Sequence, residues 1–129
     1  MNAATIDRTR TGTRTEDGAR AGAETDVEQF AIETVGDGVA ETVVVRGELD
    51  IATTPLLTAV LDSVHSRQLD RLEVDLSGVT FLDAHAVAAL VAADRHLAER
   101  QVTLVLRDPS PIARRVLALT GVDHWLEIL

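Results

Sequence analysis

Asp75-Leu76-Ser77-Gly78-Val79-Thr80-Phe81-Leu82-Asp83-Ala84-His85 is the stretch that decides the fold. Leu72, Val74 and Leu76 alternate with Glu73 and Asp75, the period-two pattern of a half-buried strand. Ser77 to Thr80 reads as a short turn. Asp83 then suits an N-cap, because its carboxylate can accept a hydrogen bond from an unpaired N–H of the first helical turn. The small residues behind it extend the helix to about Arg100. A strand that opens almost directly into a helix predicts a strand–helix–strand unit.

The flanking sequence repeats that alternation. Phe30 to Glu33 reads as a first strand, Gly36-Asp37-Gly38 as a turn, and Val43 to Leu49 as a second strand that folds back as a hairpin. Thr54-Pro55 reads as an N-cap followed by proline at the first helical position, with Leu56, Leu57, Val60, Leu61 and Val64 on one apolar face. Val102 to Leu106 is a fourth strand. Ser110-Pro111 starts another helix, whose apolar face is read as Ile112, Val116, Leu117 and Leu119, and Gly121 stops it. Trp125 to Ile128 reads as a short last strand. The expected fold class is α/β: a mixed sheet of about five strands, mostly parallel after the hairpin, with helices packed on it.

Composition narrows the function. The chain has 129 residues, which suits one domain, and 46% hydrophobic content is enough for a packed core. Aromatics are only 2%, so aliphatic side chains must supply the burial. Residues 1–27 lack hydrophobic periodicity and cannot offset about 1–2 kcal/mol per ordered residue, so a disordered tail is expected before a domain at 28–129. Arg8, Arg10, Arg14 and Arg20 offset Asp7, Glu16, Asp17 and Glu24, so the domain carries nearly all of the net charge of -9. That charge repels phosphate backbones and argues against nucleic-acid binding. The absence of cysteine excludes disulfides, thiolate metal sites and cysteine nucleophiles, and fits a cytoplasmic protein. No apolar run approaches the roughly 18 residues of a membrane span, and no signal-peptide core opens the chain.

Two motifs carry a family resemblance. Gly47-Glu48-Leu49-Asp50 followed by Thr53, and the Asp75 to Asp83 stretch some thirty residues on, resemble the STAS domain of bacterial anti-sigma-factor antagonists. The order of elements agrees over roughly residues 28–129. The resemblance implies a protein that binds an anti-sigma factor, often one with a kinase fold, and so releases a sigma factor. It implies a monomer or weak dimer; no cofactor and no enzymatic activity are expected. In the family the helix start reads Asp-Ser-Ser-Gly, and its second serine is phosphorylated to end the interaction. Here Asp83 is kept, but Ala84, His85 and Ala86 follow, so His85 stands at the phosphosite-equivalent position.

The implied partner-binding residues are Asp50, Thr53, Asp83, Ala84 and His85. A helix N-terminus presents unpaired N–H groups and about half a positive charge, which is why a phosphate is tolerated there. Three readings of His85 stay open: a solvent-facing histidine in an unregulated copy, a partner contact, or a phosphohistidine or pH sensor. Asp50 reads equally as loop chemistry or as a partner contact. Ser77 and Thr80 read as turn formers. Ala84 and Ala88 could leave a shallow apolar groove, or simply belong to a closely packed helix with Val87, Leu90, Val91 and Leu97 in the core. Ser77, Asp83 and His85 make a poor triad, since no nucleophile elbow holds the serine and the acid and base are only two residues apart at a helix start. His65, Asp70, His96 and His124 lack metal-ligand spacing, and a chain without lysine has no Walker motif. The alternative function is a ligand-sensing or assembly module of the same fold.

Overall fold

Alternating apolar positions assemble the strands into one mixed sheet. The computed structural model describes residues 30–36, 38–65 and 69–129. Strand β1 (Ala31–Gly36) pairs antiparallel with β2 (Ala40–Leu49). Strands β3 (Arg71–Leu82), β4 (Thr103–Arg107) and β5 (Glu127–Ile128) follow in parallel, in the spatial order β1-β2-β3-β4-β5. Helix α1 (Thr54–His65) links β2 to β3, α2 (Ala84–Glu99) links β3 to β4, and α3 (Pro111–Thr120) leads through a 3-10 turn at Val122–His124 to β5. This is the expected five-stranded α/β architecture. The tail expected at 1–27, Asp37 of the turn, and the side chains of Val64 and His65 lie outside what is described.

A single aliphatic core fills the space between sheet and helices. Val43, Val45, Leu49, Leu72, Val74 and Leu76 from the sheet join Leu57, Val60 and Leu61 of α1, Val87, Leu90 and Leu97 of α2, and Leu117 of α3. The other sheet face is charged. Glu73 there accepts from Arg71 Nε at 2.9 Å and from Arg107 Nη1 at 3.0 Å. Leu119 was expected on the apolar face of α3 but is 76% exposed. It sits two residues from the buried Leu117, and positions two apart on a helix do not share a face.

The decisive stretch differs from its sequence reading in one respect. Ser77 to Thr80 form no turn, because β3 runs unbroken to Leu82. The sheet absorbs the expected turn as two bulges. Val44 and Arg46 of β2 pair with Asp75 and Gly78, and Gly47 and Glu48 pair with Val79 and Phe81, so β3 carries an extra residue at each place. Each extra residue shifts the side-chain phase by one. The buried positions therefore run Leu76, Val79, Leu82 instead of alternating. On β2 the second irregularity falls at Gly47, whose φ of 95° is open to glycine at little cost.

The helix ends follow the sequence with one correction. Ser110 Oγ accepts from Ala113 N at 3.3 Å, and Gly121 takes the left-handed conformation at the end of α3. Thr54, expected as the cap of α1, instead donates its hydroxyl to Asp50 O at 2.6 Å. The first helical N–H groups fall to the Thr53 carbonyl, which accepts from Leu56 N and Leu57 N. Helix α2 ends in a Schellman motif: Val102 N donates to Leu97 O and Gln101 N to Ala98 O, both at 2.9 Å. The residue in the left-handed position is Gln101, with φ 63°. Gln101→Gly relieves that strain, and the expected outcome is a gain of about 0.5–1 kcal/mol in a urea titration.

Candidate functional site

The two motifs meet at the C-terminal ends of β2 and β3. Leu49 pairs with Leu82 in the sheet, and Asp83 N donates to Leu49 O at 3.2 Å. That bond fixes the loop after β2 beside the first turn of α2.

Within the loop, the spacing of Asp50 and Thr53 is explained by hydrogen bonding. Asp50 Oδ1 accepts from Ala52 N at 2.9 Å and from Thr53 N at 3.1 Å, an Asx-type turn. Thr53 Oγ1 donates to Glu48 O at 2.7 Å and accepts from Asp50 N at 2.9 Å. Both side chains thus hold the loop in shape, and both stay half-buried.

Asp83 is the N-cap of α2. Its Oδ1 accepts from Ala86 N at 3.1 Å, and its carbonyl accepts from Val87 N at 3.1 Å. Its second oxygen, Oδ2, lies 3.8 Å from His85 Nδ1, beyond hydrogen-bond distance. The His85 side chain is 61% exposed. Ala84 and Ala88 are also exposed, whereas Ala86 is fully buried beneath the turn. Asp83→Ala is expected to cost about 1 kcal/mol, read as a fall of roughly 5 °C in the melting temperature.

All five residues singled out from the sequence therefore share one end of the sheet. Two more belong with them and were missed: Ile51 is 63% exposed in the loop, and Phe81 is 44% exposed at the end of β3. Alternation from Leu76 already points Phe81 outward, because the two extra residues together restore the original phase, but reading Ser77 to Thr80 as a turn broke the count before it. A large apolar residue inside the polar loop was the available signal for Ile51. Ile51, Phe81, Ala84 and Ala88 are exposed at this end of the fold, as is the His85 imidazole. Together they offer shape and contact area.

The residues considered for catalysis do not assemble into a site. Ser77 stands in β3 with its N–H donated to Asp75 Oδ1 at 2.9 Å, and Thr80 is an exposed strand residue. Among the described residues, no three His, Asp or Glu side chains are grouped to hold a metal ion. No helix among them is long and apolar enough to cross a membrane.

Comparison with known proteins agrees with the geometry. An anti-sigma-B factor antagonist of Listeria monocytogenes is 31% identical over 84 residues, covering 65% of this chain and 74% of the relative. The Listeria innocua protein of the same description gives the same figures. The crystal structure of an anti-sigma factor antagonist from Mycobacterium paratuberculosis superposes with a TM-score of 0.68 at 28% identity, covering 78% of this chain and 85% of that one. Unphosphorylated SpoIIAA, an anti-sigma factor antagonist, shares the fold with a TM-score of 0.66 at 20% identity, covering 78% and 88% of the two chains. The sequence profile described as "Mlab, STAS domain" matches residues 32–129, and the chain belongs to the STAS-domain family.

Proposed function

We propose that this chain is an anti-sigma-factor antagonist that binds an anti-sigma factor, of kinase fold or otherwise, and thereby modulates sigma-factor-dependent transcription. The observation that carries the reading is the joining of the two motifs at one end of the sheet, with Asp83 capping α2 and His85 exposed beside it. The described function of the Listeria and Mycobacterium relatives supports it. The binding surface comprises Asp50, Thr53, Asp83, Ala84 and His85, to which Ile51 and Phe81 add apolar contact. Asp50 and Thr53 act by shaping the loop, while Ala84 and His85 offer their side chains to the partner.

His85 takes the phosphosite-equivalent position, so the interaction runs without serine phosphorylation there. The domain spans 28–129 behind a disordered tail at 1–27. The protein works in the cytoplasm as a monomer or weak dimer. It uses no cofactor, nucleic acid or membrane, and catalyses no reaction, in keeping with a family that is generally non-enzymatic. The test is affinity capture of the chain from its native lysate, with mass spectrometry of what is retained. Recovery of an anti-sigma factor is expected. Its absence, with a ligand-induced thermal shift instead, points to the sensing or assembly module.

A further inference from the structure

The last edge of the sheet is bare where the single tryptophan stands. Strand β5 has two residues, which pair only with Val105 and Leu106, so Thr103 and Leu104 lie beyond its reach. Beside them a cleft of about 350 Å³ opens between α2 and that edge, lined by Asp94, Ala98, Gln101, Thr103, Trp125 and Glu127 among others. Trp125 is 79% exposed, the most open large apolar side chain among the described residues. Exposed indoles of this kind are enriched where a partner covers them.

Two carboxylates line the same cleft. Neither Asp94 nor Glu127 has a side-chain hydrogen bond or ion pair among the described residues. Burial raises the Asp94 carboxyl above its ordinary pKa, so its ionised form lacks the solvation it had in the unfolded chain. An open indole face beside two unpaired carboxylates matches a guanidinium. That group is planar enough to stack on the ring and carries its donors in a fork that fits a carboxylate. A net charge of -9 adds long-range attraction for cations.

We propose that this cleft is a docking site for an arginine side chain carried on a segment of a protein partner. The cleft lies at the opposite end of α2 from His85, and the sixteen residues of that helix span about 24 Å. The inference therefore stands apart from the partner surface described above.

The lone indole N–H of the full chain gives a direct readout in a nitrogen–proton correlation spectrum. The probe is the capped tripeptide Gly-Arg-Gly, titrated at fixed ionic strength against its uncharged citrulline counterpart. A saturable shift of the Trp125 resonance is expected with the arginine peptide. Binding is expected to weaken by about tenfold for the citrulline peptide and for Asp94→Asn or Glu127→Gln. Asp94→Asn removes a charge that burial disfavours, so the variant is expected to stay folded. Asp62→Asn, on an exposed position of α1 outside the cleft, is expected to leave binding unchanged and so separates the site from bulk charge. An unshifted indole overturns the proposal. So does citrulline binding as well as arginine, or an equal loss in Asp62→Asn.

Discussion

Leu82→Ala is expected to lower the stability of the fold by about 3–4 kcal/mol, the range of large-to-small substitutions at fully buried leucines. Leu82 is 2% exposed, closes β3, and pairs with Leu49 across the sheet. The main chain is paired just before it, where Phe81 sits opposite Glu48, and just after it, where Asp83 N donates to Leu49 O, so it has little freedom to collapse into the void. The loss is a large part of the roughly 5–15 kcal/mol available to a domain of this size. Urea titration is the measurement: the midpoint should fall while the slope stays unchanged. Phe81→Ala provides the contrast one residue away. Its ring is 44% exposed, so the expected cost is below about 1 kcal/mol, and its effect should fall on partner affinity instead. Equal losses at the two positions would mean that the bulged register is wrong.

That pair of residues also marks the boundary of what the sequence made legible. Strand and helix identity followed from periodicity, and the N-cap at Asp83 and the stop at Gly121 followed from the chemistry of single residues. The bulges were not legible as such. Ser77-Gly78 looks like a turn because a small polar residue and a glycine are also what a bulged strand tolerates, and only the pairing with Val44 to Glu48 separates the two. The same ambiguity hid Phe81, since a turn at Ser77 to Thr80 ends the strand count before reaching it. Thr54 was misread for a related reason: two adjacent threonines precede Pro55, and which one caps is decided by Asp50, whose carbonyl takes the Thr54 hydroxyl. The site itself was legible to the extent that motifs mark main-chain geometry. Asp50 and Thr53 prove to be the hydrogen-bonding residues of one loop. The apolar contribution of Ile51 and Phe81 is a property of the assembled surface.

His85→Glu is expected to cut affinity for the anti-sigma factor by tenfold or more while leaving the fold intact, and it is the sharpest test of the partner surface. The position is the second residue of α2, behind the Asp83 cap and the exposed Ala84. A carboxylate there gains about 0.3–1 kcal/mol from the helix N-terminus. It is offset by repulsion from Asp83, whose Oδ2 is 3.8 Å from the present imidazole. With a side chain 61% exposed, the net change in stability should stay within about 0.5 kcal/mol. Affinity has no such compensation. A partner seated over Ala84 and His85 must desolvate the new charge, and unpaired charge at the centre of an interface costs several kcal/mol. His85→Gln keeps a polar side chain of similar reach without charge and should retain most of the binding, which isolates charge as the cause. Calorimetry on the purified partners reads all three proteins on one scale. If His85→Glu binds as tightly as the parent, the helix start lies outside the contact, and Ile51 and Phe81 must hold the partner from the other side of the loop. If Gln and Glu lose affinity equally, the imidazole itself makes the contact, and His85 is a recognition group in its own right at the start of α2.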